Sequence, residues 1–399
     1  MINKEYNICI AGKTILSIRA IEIVLKYFPI CNITCLVNST DEGFDTWQPS
    51  LKRYAQINNI KILNLEELYK IKNLIFISCE YDKIIDPDRF ISKQLYNIHF
   101  SKLPSYKGFY TSALPLLNDD FESGVTLHKI DKGIDTGDII CQKIFSLEKI
   151  ANAKELYNTY LRTSIELFND NIKSIINFKF NSYPQDCLNS SYYSKKSINY
   201  SNLTIDIRKT ASQIRNQLRA FYFPEYQVPK IYGIPVSSST ILNSKSTDKV
   251  GSIIHEDILT ITLSTIDFDL HITKDLNSLV LDYSKNNKTT LLNAIINHCD
   301  TLNFRNFCGW SPLIIAAYNG CYETVRLLVS NGADLNYTNY KGTTPIMYAL
   351  AYYDKTGDTK IFEYLRNNGA DLQIKDYKGN DLAFYIKENN SKIFDDSIS

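Results

Sequence analysis

Apolar positions follow two rhythms through the first hundred residues. Short, mostly apolar runs at 6–11, 33–37, 61–63 and 74–78 predict strands covered on both faces. Between the first two, Ile15, Ile18, Ile21, Val24 and Leu25 recur at helical spacing across 15–27. Residues 50–57 and 66–69 predict two further helices. Strand and helix therefore alternate, which implies parallel strands joined by crossover helices and an α/β sheet. The first turn, Ala11-Gly12-Lys13-Thr14, lacks both G-x-G-x-x-G and the P-loop pattern, so neither a dinucleotide fingerprint nor a P-loop is supported. In such sheets the ligand sits at the carboxyl ends of the strands.

The rhythm then changes. Residues 180–200 are polar and read as a loop at a domain boundary. Residues 207–221 predict a helix. From 228 to 273 short β segments take over, among them 259–263 and 268–272. The division predicted is an α/β domain over 1–200, a small β-rich subdomain over 201–277 and an all-α tail over 278–399.

The tail repeats itself. Gly309-Trp-Ser-Pro-Leu, Gly342-Thr-Thr-Pro-Ile and Gly379-Asn-Asp-Leu-Ala share a layout, and Asn331-Gly-Ala-Asp-Leu recurs at Asn368. The turn glycines lie 33 and 37 residues apart. This resembles ankyrin repeats, whose period is about 33 residues. The extra residues are expected in a lengthened inter-helix turn at 353–358, and a degenerate first repeat near Thr290. Ankyrin surfaces usually bind proteins. This one is rich in rings, and Trp310 with Tyr340 is a candidate stacking surface for a nucleotide ligand.

Composition narrows the class without changing the fold. The chain has 399 residues, 44 Lys and Arg against 43 Asp and Glu, and a net charge of +1. That argues against a nucleic-acid partner. No apolar run reaches the 18 or so residues of a membrane span, and Met1–Glu5 lack a signal-peptide pattern. Nine scattered Cys form no zinc pattern, so no metal is expected; they read as reduced core thiols of a cytoplasmic protein.

The chemistry concentrates in two segments. Asn97 and His99 are two apart on a predicted strand and point to one face. Downstream, Asp131-Lys-Gly-Ile-Asp135-Thr-Gly-Asp138 puts three carboxylates in a glycine-rich loop, where one can orient an imidazole and support its charged form. Taken alone, Asn-x-His is usually structural and Asp-rich loops are usually turns. His128 reads as a satisfied strand residue rather than a second base.

Asn97-x-His99-x-Ser101-x-Leu103-Pro104, followed by Gly124-Val-Thr and Asp131-x-Gly-x-Asp135-Thr-Gly-Asp138, resembles the N10-formyltetrahydrofolate-dependent formyltransferases. The likeness covers about residues 1–270, with Lys102 a departure where leucine is common. It implies a Rossmann-like formyltransferase core with Asn97, His99 and Asp135 as catalytic residues. It also implies a pocket for the co-substrate N10-formyltetrahydrofolate at Phe76, Ser78, Tyr81, Leu103, Pro104, Ile130 and Asp131. The stretch Arg219-Ala-Phe-Tyr-Phe-Pro is similar to an element of nucleotide-sugar N-formyltransferases. Arg219, Phe221 and Tyr222, with Lys13, become candidate substrate-binding residues. The implied acceptor is a dTDP-amino-dideoxyhexose of O-antigen synthesis, dTDP-3-amino-3,6-dideoxyglucose or its 4-amino isomer. Methionyl-tRNA is a further alternative within the resemblance. A homodimer is the family expectation.

Overall fold

The computed structural model describes residues 6–186 and 188–393; the Met1–Glu5 stretch read above for a leader, and Cys187, lie outside them. Contacts divide the chain into two units. The first runs to Ile205 and takes in Ser212–Phe223; the second holds Asp206–Ala211 and everything from Pro224 onward.

The first unit is built on a seven-stranded sheet. Its strands are β1 (Asn7–Gly12), β2 (Ile33–Val37), β3 (Lys61–Ile62), β4 (Leu74–Cys79) and β5 (Gln94–His99). After β6 (Lys107–Gly108) come β7 (Glu122–Lys129) and β8 (Ile139–Ser146). The order is β3-β2-β1-β4-β5-β7-β8. The first five strands pair in parallel; β7 and β8 add antiparallel. The order reverses at β1, so β1 and β4 open a crevice at their carboxyl ends.

Helix α1 (Ile15–Val24) starts where the Thr14 side chain accepts the Leu16 N–H, an N-cap. It ends three residues before its apolar pattern does, because the chain turns toward Pro29. Helices α2 (Leu51–Ile57), α3 (Leu65–Leu68) and α4 (Leu114–Leu117) are short. The long α5 (Ala153–Ile176) buries Leu156, Tyr160, Phe168 and Ile172 in the main core with α1.

The polar stretch 180–200 is not the boundary its composition suggests. Tyr183 bridges Ile139, and β9 (Tyr192–Tyr193) pairs in parallel with β6. Its backbone groups find partners on the first unit, which polar composition alone does not reveal. Helix α6 (Ala211–Phe221) likewise belongs almost wholly to the first unit rather than to a subdomain starting at 201.

The second unit opens with a five-stranded antiparallel sheet. It comprises β10 (Lys230–Ile231), β11 (Ile234–Ile241), β12 (Ile253–Glu256), β13 (Thr260–Leu263) and β14 (Leu270–Lys274), in the order β10-β11-β14-β13-β12. Helix pairs follow. They are α7 (Leu276–Lys285) with α8 (Thr289–Ile296), α9 (Pro312–Tyr318) with α10 (Tyr322–Ser330), and α11 (Pro345–Thr356) with α12 (Lys360–Asn367); α13 (Leu382–Glu388) closes the series.

The repeats that open at α9, α11 and α13 use the same devices. Asn306, Asn339 and Asp376 each accept two backbone N–H groups, two and four residues on, across the turn. Gly342 holds that turn at φ +79°, a conformation that favours glycine. Ser311, Thr344 and Asp381 then cap the helices, with Pro312 and Pro345 at the first helical position. The expected long turn at 353–358 is absent. The extra residues lengthen α11 to 12 residues against 7 in α9, since a helix extension satisfies their backbone and a longer loop would not.

The eight described cysteines are all free thiols. Burial pushes the Cys35 thiol up to about 12 and those of Cys9 and Cys79 higher still. Cys31 and Cys308 are exposed, so they are not core residues. No described helix is long and apolar enough to cross a membrane.

Candidate active site

At the carboxyl ends of β4 and β5 the first unit encloses a cavity of about 410 Å³. Its wall includes Ser78 on β4, Glu80 and Tyr81 just beyond it, Asn97 and His99 on β5, and Ile130, Asp131 and Asp135 on the loop after β7. The sheet register explains the gathering. Ser78 lies opposite Asn97 in the parallel β4–β5 pair, and Asn97 lies opposite His128 in the antiparallel β5–β7 pair. Residues opposite each other share a face.

His99 is nearly buried. Its Nε2–H donates to the Tyr106 carbonyl at 2.9 Å, which fixes the tautomer because a carbonyl only accepts. Nδ1 is left facing Asp135 Oδ2 at 3.4 Å. Burial lowers the His99 pKa below its ordinary 6.5, against the opposing pull of Asp135 and of the Tyr106 carbonyl. Burial thus disfavours the imidazolium, while the adjoining carboxylate is placed to stabilise a proton gained at Nδ1.

Burial alone would raise the Asp135 pKa. His99, His128 and the Gly108 N–H outweigh it and hold the carboxyl well below the usual range. Gly108 N–H donates to Oδ2 at 2.9 Å and Asn97 Nδ2 to Oδ1 at 3.2 Å. Asp135 sits at φ +56°, a left-handed conformation that Asp tolerates better than most residues. Two neighbours keep its loop in place. Gln185 Nε2 donates to the carbonyls of Asp135 and Gly137, both at 2.8 Å. A Cβ on Gly137 would come within 1.9 Å of the Lys129 carbonyl, so only glycine closes the loop there.

His128 does more than the sequence reading gave it. Its Nδ1–H donates to the Lys129 carbonyl at 2.7 Å, and its Nε2 accepts from Asn97 Nδ2 at 3.1 Å. It therefore orients the Asn97 amide. The signal was present in the strand periodicity; the antiparallel register that puts it opposite Asn97 was not. Gln185 gave no sequence signal, because it reaches the site from a stretch that reads as a loop.

The other candidates divide. Ser78, Tyr81, Ile130 and Asp131 line the cavity. Phe76 does not: it is wholly buried among Phe90, Leu68 and Leu95, deeper along β4. Leu103 is also buried, its N–H bound to Thr126 and its carbonyl to Gln142, and neither it nor Pro104 lines the cavity. Lys13 is outside the cavity wall and donates to Thr40 at 3.3 Å. Arg219 donates to the Ile150 carbonyl at 3.0 Å. Burial and the neighbouring Arg215 lower its pKa. Phe221 is a core residue, edge-on to Tyr200, so it presents no free face for a base; Tyr222 is half-buried.

In the second unit Trp310 packs on Tyr348 and Tyr318, with ring centroids 4.8 and 5.0 Å away. Tyr340 instead lies with Arg305, which also covers Tyr337. The expected Trp310–Tyr340 pair is therefore not one stacking surface.

The chain belongs to the formyl transferase family and carries ankyrin repeats in its second unit. The model for formyl transferase matches residues 48–171, and that for ankyrin repeats, in three copies, matches 281–376. A solved N-formyltransferase from Helicobacter canadensis, in complex with folinic acid and dTDP-3-aminofucose, is 42% identical with a TM-score of 0.64. It aligns over 68% of this chain and 100% of its own. WlaRD, a sugar 3N-formyl transferase solved with dTDP and 5-N-formyl-THF, is also 42% identical, with a TM-score of 0.63 over 67% of this chain and 97% of its own. Methionyl-tRNA formyltransferase of Thermosipho melanesiensis is 30% identical over 51% of this chain and 70% of its own. That of Fervidobacterium nodosum is 29% identical, and this chain spans 64% of its length.

Proposed function

We propose that the protein transfers a formyl group from N10-formyltetrahydrofolate to the amino group of a dTDP-amino-dideoxyhexose. The observation that carries this reading is the meeting of Asn97, His99 and Asp135 on one cavity, in a chain 42% identical to two sugar N-formyltransferases. We assign the acceptor as dTDP-3-amino-3,6-dideoxyglucose, with the 4-amino isomer as the alternative. The C3 amine is supported by the names of both relatives, which specify a 3-amino sugar and 3N transfer.

The cavity suits a folate. Its volume lies in the range of small-ligand pockets, and Tyr81, Ile85, Ile130 and Ile134 offer it an apolar wall beside the polar Asp131. The bound co-substrate supplies an electrophilic formyl carbon. The chain's own residues supply the rest. His99 Nδ1 takes the proton that the acceptor nitrogen loses as the new C–N bond forms. The imidazolium is then paired with Asp135. Asn97 Nδ2, which rests 3.2 Å from Asp135 Oδ1 and 3.1 Å from His128 Nε2, turns one N–H to the oxygen where negative charge develops. Such a donor is worth about 3–4 kcal/mol. Returning the His99 proton to N10 as the old C–N bond breaks completes the transfer. Arg219, one helical turn from Arg215 on α6, is assigned to the diphosphate. The ankyrin repeats are assigned to binding a protein or a second ligand, and the active protein is assigned as a cytoplasmic homodimer.

The test is a formyl-transfer assay with N10-formyltetrahydrofolate against dTDP-3-amino and dTDP-4-amino dideoxyhexoses and formylatable tRNA. Turnover of the 3-amino sugar is expected; formylation of tRNA alone would replace the reading with methionyl-tRNA formylation. The pH profile follows from His99. Its base form is lost as pH falls through its lowered pKa, so kcat is expected to stay level from pH 8 down to about 6.5 and to fall only below that. A loss of kcat already complete at pH 7 would contradict the base assignment.

A further inference from the structure

Glu80 is a titratable group that this scheme leaves unused. It follows the last residue of β4 at φ +63°, a left-handed conformation that a non-glycine residue keeps only where its surroundings fix it. They do. Asn38 Nδ2 donates to its backbone carbonyl at 3.0 Å. Thr14 Oγ1 and Tyr157 OH both donate to its Oε2, at 2.8 and 3.2 Å. Gln48 in turn donates to the Tyr157 hydroxyl at 2.6 Å. Among the described residues no donor serves Oε1. The residue lines the same cavity as Asn97, His99 and Asp135, at the end of the strand paired beside theirs.

The reaction needs such a group. An aliphatic amine is mostly an ammonium near neutral pH, and an ammonium has no lone pair with which to attack. Two protons must leave the nitrogen: one before the C–N bond forms and one after. His99 takes the second. We propose that Glu80 receives the acceptor as its ammonium and takes the first proton. The carboxylate oxygen gains H⁺, the nitrogen keeps the electron pair, and the neutral amine attacks the formyl carbon. Glu80 returns its proton to solvent between turnovers. The assignment rests on the proposed transfer to an amino sugar.

The surroundings tune Glu80 for that exchange. Burial raises its carboxyl to about 7, against the hydrogen bonds from Thr14 and Tyr157 and the charge of Lys13. The adjoining Cys79 thiol is neutral, its own pKa pushed up by burial. Across the cavity Asp135 is committed to His99, Asn97 and Gly108. Asp82 accepts the N–H and hydroxyl of Ser39. Lys83 and His128 also line the wall.

The test compares wild type with Glu80→Gln in kcat/KM for the dTDP-amino sugar, from about pH 6 to about pH 9.5. Calorimetry on the dTDP-sugar that carries a hydroxyl in place of the amine accompanies it. The variant is expected to lose about tenfold or more in kcat/KM at pH 7, mainly through KM, because a charge-assisted hydrogen bond is gone. The deficit closes as pH rises and the amine loses its proton unaided. Binding of the hydroxyl sugar stays unchanged. A deficit equal at every pH, or equal weakening of the hydroxyl sugar, overturns the assignment while the transfer reaction stands. Failure of the wild type to formylate any amino sugar removes the reaction and the assignment together. Tyr157→Phe deletes one donor to Oε2 and should move the acid limb of kcat/KM to higher pH; an unmoved limb counts against Glu80.

Discussion

His99→Asn is expected to lower kcat by about a thousandfold, the range for loss of a positioned general base, while affinity for the dTDP-sugar stays within a few-fold. Asparagine is close in size and keeps a polar end, so the cavity is preserved. It cannot hold a proton, however, and Asp135 loses the partner that contributes to its strongly depressed pKa. The proton that the acceptor nitrogen releases as the C–N bond forms then loses the base assigned to take it. Steady-state rates with calorimetry on the same preparation decide the matter. More than a tenth of the wild-type rate in the variant would remove His99 from the mechanism. A parallel loss of nucleotide-sugar affinity would make the residue a binding group instead.

Phe362→Ala carries the largest expected effect on stability. Phe362 lies on α12, is fully buried, and packs within the core of the ankyrin helices. Its removal deletes a ring from a close-packed layer and is expected to cost about 3–5 kcal/mol. In a stacked array each repeat leans on its neighbours, so the loss spreads along α9 to α13. Denaturant unfolding gives the magnitude. Hydrogen exchange read by segment gives the location, with protection lost over 312–388 and kept across the strands of 7–146. A cost under about 1 kcal/mol would show that this core is not continuous.

How much of this was legible beforehand differs by element. The strands of 6–78 and the helices between them follow from apolar runs that only a sheet covered on both faces can hide. The repeat was legible in its recurring turn glycines and Asn-Gly-Ala-Asp-Leu stretches; the structure adds that Asn306, Asn339 and Asp376 perform the same backbone capping ahead of Ser311, Thr344 and Asp381. The segment 180–200 was misleading, since polar residues that anchor to a distant backbone look the same in sequence as solvated ones. Phe76 and Phe221 were legible as rings, but whether a ring faces a ligand or the core depends on what lies over it, here Phe90 and Tyr200.

The sequence by itself determined the α/β alternation, the ankyrin array and the residue types Asn97, His99 and Asp135, because local periodicity and turn chemistry are written in neighbouring residues. Tertiary structure alone decided that His128 orients Asn97, that Gln185 holds the Asp135 loop, and that Glu80 borders the same cavity. Each of these depends on strand register or on a contact between residues far apart in the chain, and the free energy that fixes such contacts exists only once the sheet has formed.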